Sequence, residues 1–131
     1  MAKLVADVAV VADGRVLLVR YDDVSRYDGQ RGWFLPDDYL ANGEHPDAAA
    51  KRIVREQAGL DVDPALAEIE SLTGGAWHLI FHYRAAAAAP DTVRLGANVA
   101  AAEWFPLTAL PPDAEQAHDG WAGDVLSRVF M

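Results

Sequence analysis

The sequence predicts an α/β protein in which helices cover both faces of a mixed β-sheet. Two short apolar runs near the N-terminus are separated by an aspartate and a glycine, which indicates a β-hairpin. A helical pattern follows at residues 45–59, and further strand-like runs precede a second helical pattern near the C-terminus. Strands that alternate with helices in a chain of 131 residues are typical of a layered α/β architecture. We therefore expect one domain over residues 1–131.

The predicted hairpin consists of residues 4–11 and 15–21, which are rich in valine and leucine. Between them lie Asp13 and Gly14, a pair that suits a tight turn between antiparallel strands. The polar stretch 22–32 is expected to form a surface loop that could cover a ligand site. Residues 33–36 are expected to end a third strand, and Asp37 and Asp38 to begin an acidic loop.

The first helix is expected to begin near His45 and Pro46 and to end at Gly59. Proline and Asp47 suit a first helical turn, and glycine accepts the left-handed conformation that ends many helices. One side repeats every four residues and is expected to be buried: Ala50, Val54 and Ala58. The opposite side is expected to face solvent: Asp47, Lys51 and Arg55. The strip between them, in which chemistry would have to lie, contains Ala49, Arg52, Ile53, Glu56 and Gln57.

The second half of the chain contains three further predicted strands, at residues 66–73, 76–84 and 99–105, and a final helix at 113–130. Alternation along the middle strand places His78 and His82 on the same face. On a strand these two rings are separated by ~13 Å, which is too far to share one metal ion. We therefore expect them to be polar-face residues, with His78 a candidate for ligand contact.

Composition limits the partners that the protein can have. The formal net charge of −9 disfavours binding to nucleic acid, whose phosphates would be repelled, and the absence of cysteine excludes disulfides and thiolate metal sites. No apolar run approaches the ~20 residues of a membrane span. We expect a cytoplasmic protein that binds a small molecule rather than nucleic acid or a membrane. The apolar stripe of the final helix could also contribute to a homodimer contact.

Residues 38–60 resemble the Nudix box, the signature of the Nudix (MutT-like) hydrolase family. The signature reads G-x5-E-x7-R-E-U-x-E-E-x-G-U, where U is a bulky aliphatic residue. The positions that match it are Glu44, Arg52, Val54, Glu56, Gly59 and Leu60. The positions that depart from it are Asp38 for the opening glycine, Ile53 for the glutamate after the arginine, and Gln57 for the last glutamate.

The resemblance implies a Nudix-like α/β/α sandwich and a hydrolase that uses Mg²⁺ or Mn²⁺ to cut a nucleoside diphosphate linked to another group. Positions 53, 56 and 57 are spaced i, i+3, i+4, so three glutamates there would meet on one face of the helix and could hold such an ion. In this chain only Glu56 keeps its carboxylate. Losing two charged ligands should weaken the site on the order of a thousandfold or more, at roughly 1.5–3 kcal/mol for each charge-assisted contact.

Within this resemblance the candidate catalytic residues are Glu56 as principal metal ligand, Arg52 to orient the carboxylates, Glu44 to support the helix start or a second ion, and Glu103 as base. One hypothesis is a displaced cation site built from Glu56, Asp38 and Glu103. The alternatives are that Asp37 and Asp38 are turn residues and that Glu103 is an ordinary exposed strand residue.

Two candidate substrate contacts complete the predicted site. Arg20 ends the second strand, where a basic residue in Nudix-like proteins can reach a substrate phosphate, and His78 is the second candidate. A solvated edge arginine is the alternative for Arg20. Two functional interpretations therefore stay open: a hydrolase whose activity is weak or lost, and a catalytically silent binding or regulatory module for a nucleotide-like ligand.

Overall fold

A six-stranded mixed sheet lies at the centre of the computed structural model, which describes residues 2–130. The strands are β1 (Ala2–Ala12), β2 (Arg15–Tyr21), β3 (Asp37–Tyr39), β4 (Ala65–Leu72), β5 (Trp77–Ala86) and β6 (Val99–Pro106). The helices are α1 (Pro46–Ala58) and α2 (Trp121–Val129), and short 3-10 turns occur at Pro90–Thr92 and Asp113–Glu115. The strand order is β4-β5-β1-β2-β6, with β3 paired to β1. The pair of β1 and β5 is parallel and the other pairs are antiparallel.

The two helices cover opposite faces of this sheet, which confirms the predicted α/β fold. α1 packs against one face over a core that includes Val8, Leu17 and Tyr83. α2 packs against the other face over a core that includes Leu18 and Leu35. Within residues 2–130, no helix is both long enough and apolar enough to cross a membrane.

The predicted hairpin and first helix are confirmed close to their expected limits. Asp13 and Gly14 have φ angles of 51° and 73°, the left-handed pair that a two-residue hairpin turn requires. His45 caps α1 through Nδ1, which accepts a hydrogen bond from the Asp47 N–H at 3.0 Å. At the other end, Gly59 has a φ of 69° and its N–H donates to the carbonyl of Arg55.

The structure corrects the third strand. Residues 33–36 were expected to be its end, but Asp37 and Asp38 themselves form β3 and pair with Asp7 and Ala6 of β1. Aspartate is rare in strands, so local propensity points to a loop. Pairing with the first half of β1, which β2 does not reach, overrides that preference.

The second correction concerns the final helix, which begins at Trp121 and not at residue 113. His118, Asp119 and Gly120 have φ angles of 53°, 52° and 98°, and three successive left-handed residues cannot continue a right-handed helix. The preceding residues form only the 3-10 turn Asp113–Glu115. As a result, α2 begins beside the sheet.

Candidate functional site

Arg52 on α1 contacts two other predicted site residues, Glu44 and Glu56. Its guanidinium donates to both carboxylate oxygens of Glu44, at 2.9 and 3.1 Å, to the carbonyl of Tyr39 at 3.0 Å, and to Glu56 Oε2 at 3.3 Å. The hydrogen bond from Arg52 lowers the pKa of Glu44 below its ordinary value, so this carboxylate stays charged. Arg52 therefore fastens the segment between β3 and α1 to the helix, and it holds Glu56 at its side.

Gln57 connects α1 directly to β3. Its side chain is 8% exposed, its Nε2 donates to the carbonyl of Asp37 at 2.8 Å, and its Oε1 accepts from the Tyr21 hydroxyl at 2.7 Å. The Tyr21 hydroxyl in turn accepts from the Asp37 N–H at 3.2 Å. Both ends of the amide are used, so the helix, β2 and β3 are joined here by hydrogen bonds.

The box positions do not fit the three-carboxylate cation site that the family resemblance implies. Ile53 is 1% exposed and belongs to the apolar core, and the Gln57 amide is uncharged and already bonded. Glu56 keeps a charge, but its side chain is 58% exposed and paired with Arg52. The α1 side chains that were expected to form one functional strip are therefore divided between the buried core and the solvent. A hard divalent cation would find one carboxylate there.

The proposed displaced set of Glu56, Asp38 and Glu103 is not brought together in the structure. Asp38 accepts from Arg26 Nη2 at 2.8 Å. Glu103 lies on β6 opposite Leu18, and Leu18 packs in the core beneath α2, whereas Glu56 lies on α1 across the sheet. Among residues 2–130, the group that brings three possible ligand atoms within 4.8 Å is a different one, Glu68, Glu70 and His82. Metal binding by Glu56, Asp38 and Glu103 therefore stays a prediction.

The ligand atoms of that other group are already paired with protein groups. His82 is fully buried, with Nδ1 at 2.8 Å from Asp7 and Nε2 at 2.8 Å from Glu70. Glu70 and Glu68 both accept from Arg128, at 2.9 and 3.0 Å. We call Asp7, His82, Glu70, Glu68 and Arg128 the ion network. Because its atoms are engaged with one another, it links β1, β4, β5 and α2 and does not present an open cation site.

A cavity of about 310 Å³ opens over the α2 face of the sheet, beside β3 and the start of α2. Six aromatic side chains line it: Tyr27, Phe34, Tyr39, His78, His118 and Trp121. Four charged residues also line it: Arg26, Asp28, Asp37 and Asp38. The structure therefore places the predicted contact His78 in the lining, together with part of the loop 22–32. Arg20 is not in the lining and lies with its guanidinium 5.0 Å from the centre of the Trp33 ring.

Asp37 also lines this cavity, whereas only its neighbour Asp38 was proposed as a ligand from the sequence and Asp37 was expected to be a loop residue. It is 9% exposed and lies opposite Asp7 in the sheet. Burial, together with the nearby charges of Asp7 and Asp38, raises the pKa of Asp37 well above its ordinary value. The sequence signal was the Pro-Asp-Asp run itself, which places two acids where strand pairing must bury one of them.

Replacing Asp37 with asparagine is expected to raise the free energy of unfolding at neutral pH by roughly 1–3 kcal/mol, the desolvation penalty of one buried polar group. The folded protein keeps the Asp37 proton to a higher pH than the unfolded chain does. Its contribution to stability is therefore present below the unfolded pKa and is lost as the pH rises through the folded pKa. Urea denaturation from pH 4 to 8 should show the gain of Asp37→Asn growing with pH.

The matched control for this measurement is Asp61→Asn, since the Asp61 side chain is 85% exposed. It removes the same formal charge but should leave stability unchanged across the series. A constant difference between wild type and Asp37→Asn over the whole range would show that the folded protein does not hold this carboxyl protonated.

Comparison with known proteins places the fold. A family model for the NUDIX domain matches residues 2–126. A crystal structure of a MutT NUDIX hydrolase from Burkholderia pseudomallei is 21% identical, with a TM-score of 0.80 over 98% of each chain. A UDP-X diphosphatase structure is 16% identical, with a TM-score of 0.75 over 99% of this chain and 63% of that one. An ADP-ribose pyrophosphatase from Streptococcus suis is 19% identical, with a TM-score of 0.70 over 94% and 87%.

At these identities the solved structures show a shared fold, and no curated protein matches the chain. The family model, by contrast, spans almost the whole sequence, including the box residues that Arg52 joins. The mixed sheet, the two helices and this match lead to one conclusion: the chain belongs to the NUDIX domain family.

Proposed function

We propose that this protein is a Nudix-fold module that binds a nucleotide-like small molecule and in which metal-dependent hydrolysis is lost or very weak. The observation that carries the proposal is the Gln57 amide, which bonds to the Tyr21 hydroxyl and the Asp37 carbonyl at a position where the box pattern has a glutamate. A charged metal clamp and a proton acceptor are both needed for hydrolysis by this route. Neither Gln57 nor Ile53 supplies one.

The cavity supports the binding half of the proposal. It is concave and mainly apolar, with several aromatic side chains and a few polar groups, which is the usual character of a small-molecule site. Two proteins of the same fold are named a UDP-X diphosphatase and an ADP-ribose pyrophosphatase, and both names refer to nucleotides. These names favour a nucleotide-like ligand for this chain as well. The net charge of −9 favours a small molecule over nucleic acid as the partner.

The competing function is a weak Mg²⁺- or Mn²⁺-dependent hydrolase. It would rest on Glu56 as metal ligand, Arg52 and Glu44 as positioning residues and Glu103 as base. The contact between Arg52 and Glu56 at 3.3 Å favours this alternative, because the arginine already holds the carboxylate in place. This alternative requires Glu103 or another acid to approach Glu56. Glu103 and Glu56, however, lie on opposite sides of the sheet.

The deciding experiment measures turnover and binding on the same samples. Wild type, Glu56→Gln and the control Asp61→Asn are incubated with nucleosides, nucleoside triphosphates, dinucleotides and nucleotide sugars, with Mg²⁺ or Mn²⁺. We expect no turnover above background in any of them, together with ligand-induced thermal stabilisation that persists in EDTA. Metal-dependent turnover that Glu56→Gln abolishes and Asp61→Asn leaves intact would establish the hydrolase and overturn the proposal.

A further inference from the structure

We propose that the cavity selects an uncharged or cationic planar heterocycle and discriminates against phosphorylated forms of the same molecule, because aromatic rings and three carboxyls surround a single, already paired guanidinium. The inference rests on the proposed function, since it names the ligand class of the same cavity. It also departs from what box chemistry implies, which is a site built to hold a diphosphate.

The walls of the cavity favour a flat ring. Tyr27 is held rigidly, because it stacks on Tyr21 with the ring centres 3.8 Å apart and the planes 3° from parallel. Tyr39 and Trp121 add further ring surface around the same space. Aromatic side chains stabilise planar ligands by offset stacking and edge contacts. A volume of about 310 Å³ lies at the small end of ligand pockets, which suits one heterocycle with a sugar better than two linked nucleotides.

The charges of the cavity oppose phosphate. Asp28 and Asp38 contribute two carboxylates, Asp37 adds a third carboxyl whose pKa is raised by burial, and Arg26 is the single guanidinium in the lining. Asp28 Oδ2 also lies 3.3 Å from Nε2 of His118. That guanidinium is bonded to Asp38 at 2.8 Å and lies 5.7 Å from the centre of the Tyr39 ring. A phosphate that reached Arg26 would have to displace Asp38 and remain beside its negative charge. A cation or a neutral ring leaves the ion pair intact.

Asp37 gives the cavity a carboxyl group that can hydrogen-bond to the polar edge of a heterocycle. Its Oδ1 is 3.4 Å from the Tyr21 hydroxyl, whose proton is used in the shorter bond to Gln57. Among the described residues, no hydrogen bond reaches Oδ2 and no buried side-chain oxygen lacks a partner, so Oδ2 is open to the cavity. A carboxyl in this position accepts from a ring N–H or amino group, and when protonated it also donates to a ring nitrogen.

Calorimetric titration in EDTA tests the charge preference without any variant. The probes are adenosine, AMP, ADP and ATP, followed by 1-methyladenosine and its isomer N6-methyladenosine, which differ in charge at pH 7 but not in composition. We expect each added phosphate to weaken binding by about threefold to fivefold, the effect of one partly exposed charge pair. The cationic isomer is expected to bind more tightly than the neutral one.

Asp38→Asn locates the effect in the cavity. It frees Arg26 and removes one carboxylate, so the preference for adenosine over ATP should shrink or reverse. Asp61→Asn carries the same change in net charge far from the lining and should leave the preference as in wild type. A preference that Asp61→Asn alters equally would assign the effect to the net charge of −9 and overturn the inference.

The remaining outcomes are also decisive. Affinity that rises with the number of phosphates, affinity that is equal across the series, or no binding by any probe would each overturn the inference. The proposed absence of hydrolysis is judged separately, by the turnover of wild type and Glu56→Gln, so the two proposals can fail independently.

Discussion

Replacing His82 with leucine is expected to lower the free energy of unfolding by about 3–5 kcal/mol at pH 7, the usual cost of leaving one member of a buried ion pair without its partner. Asp7 and His82 are both fully buried and lie 2.8 Å apart. Both ring nitrogens of His82 face carboxylates, so the ring is best satisfied as an imidazolium. Leucine would fill the space but would leave the buried Asp7 carboxylate without its partner.

The effect should depend on pH with a defined sign. Burial by itself lowers the pKa of His82, but the hydrogen bonds and charges of Asp7 and Glu70 together raise it above its ordinary value. A raised histidine pKa contributes stability that is complete below the unfolded pKa of ~6.5 and is lost as the pH rises through the folded pKa. The difference between wild type and His82→Leu, measured by urea denaturation, should therefore be largest below pH 6.5 and smaller at higher pH.

Two further variants separate the ion pair from simple loss of packing. His78→Leu changes the same residue type on the same strand, where the ring is half-buried and makes one long contact of 3.3 Å, so its cost should stay below about 1 kcal/mol. Asp7→Asn in the His82→Leu background should recover part of the loss, because it removes the unpaired charge. A cost of less than 1 kcal/mol for His82→Leu would contradict the buried ion pair.

Local signals predicted the parts of the fold that are held by local contacts. The hairpin needs two left-handed residues in its turn, and Asp13 and Gly14 supply them. The first helix needs a cap and a stop, and His45 and Gly59 supply those. β3 could not be predicted in this way, because two aspartates become a strand only through pairing with β1, about 30 residues earlier in the chain. The late start of α2 depends on positive φ angles at His118 and Asp119 that their residue types do not demand.

The contacts of the candidate site also fall into local ones, which the sequence predicts, and long-range ones, which it does not. The contacts of Arg52 with Glu44 and Glu56 lie within a motif confined to one loop and one helix, and they could be expected from the resemblance to the Nudix box. The pairing of Asp7 with His82 spans 75 residues and depends on the parallel register of β1 and β5. The visible hint was an aspartate within an apolar strand, which is rare unless a partner meets it. No spacing rule identifies that partner.

The second large effect is expected when glutamate is substituted at positions 53 and 57, where the Nudix box has it. Ile53→Glu should destabilise the protein by several kcal/mol, because Ile53 is 1% exposed in the core beneath α1 and a carboxylate there would be buried without a partner. Gln57→Glu should cost about 1–3 kcal/mol, since it loses the donor to the Asp37 carbonyl and leaves that acceptor unsatisfied. Ile53→Val is the matched control and should cost about 0.5–1.5 kcal/mol.

Adding Mg²⁺ to the double variant tests whether α1 still has the geometry of a metal site once the glutamates are restored. If the scaffold of α1 and β3 could still hold a divalent cation, Mg²⁺ would stabilise Ile53→Glu/Gln57→Glu by binding the folded state, raising its Tm with concentration and restoring turnover. We expect neither, because in this structure Ile53 is packed in the core, Glu56 faces solvent and Gln57 is bonded across to Tyr21, so three glutamates here would not converge on one point. A Mg²⁺-dependent rise in the Tm of the double variant, absent in Ile53→Val, would show that the helix keeps the geometry of a metal site and that only its ligands have changed.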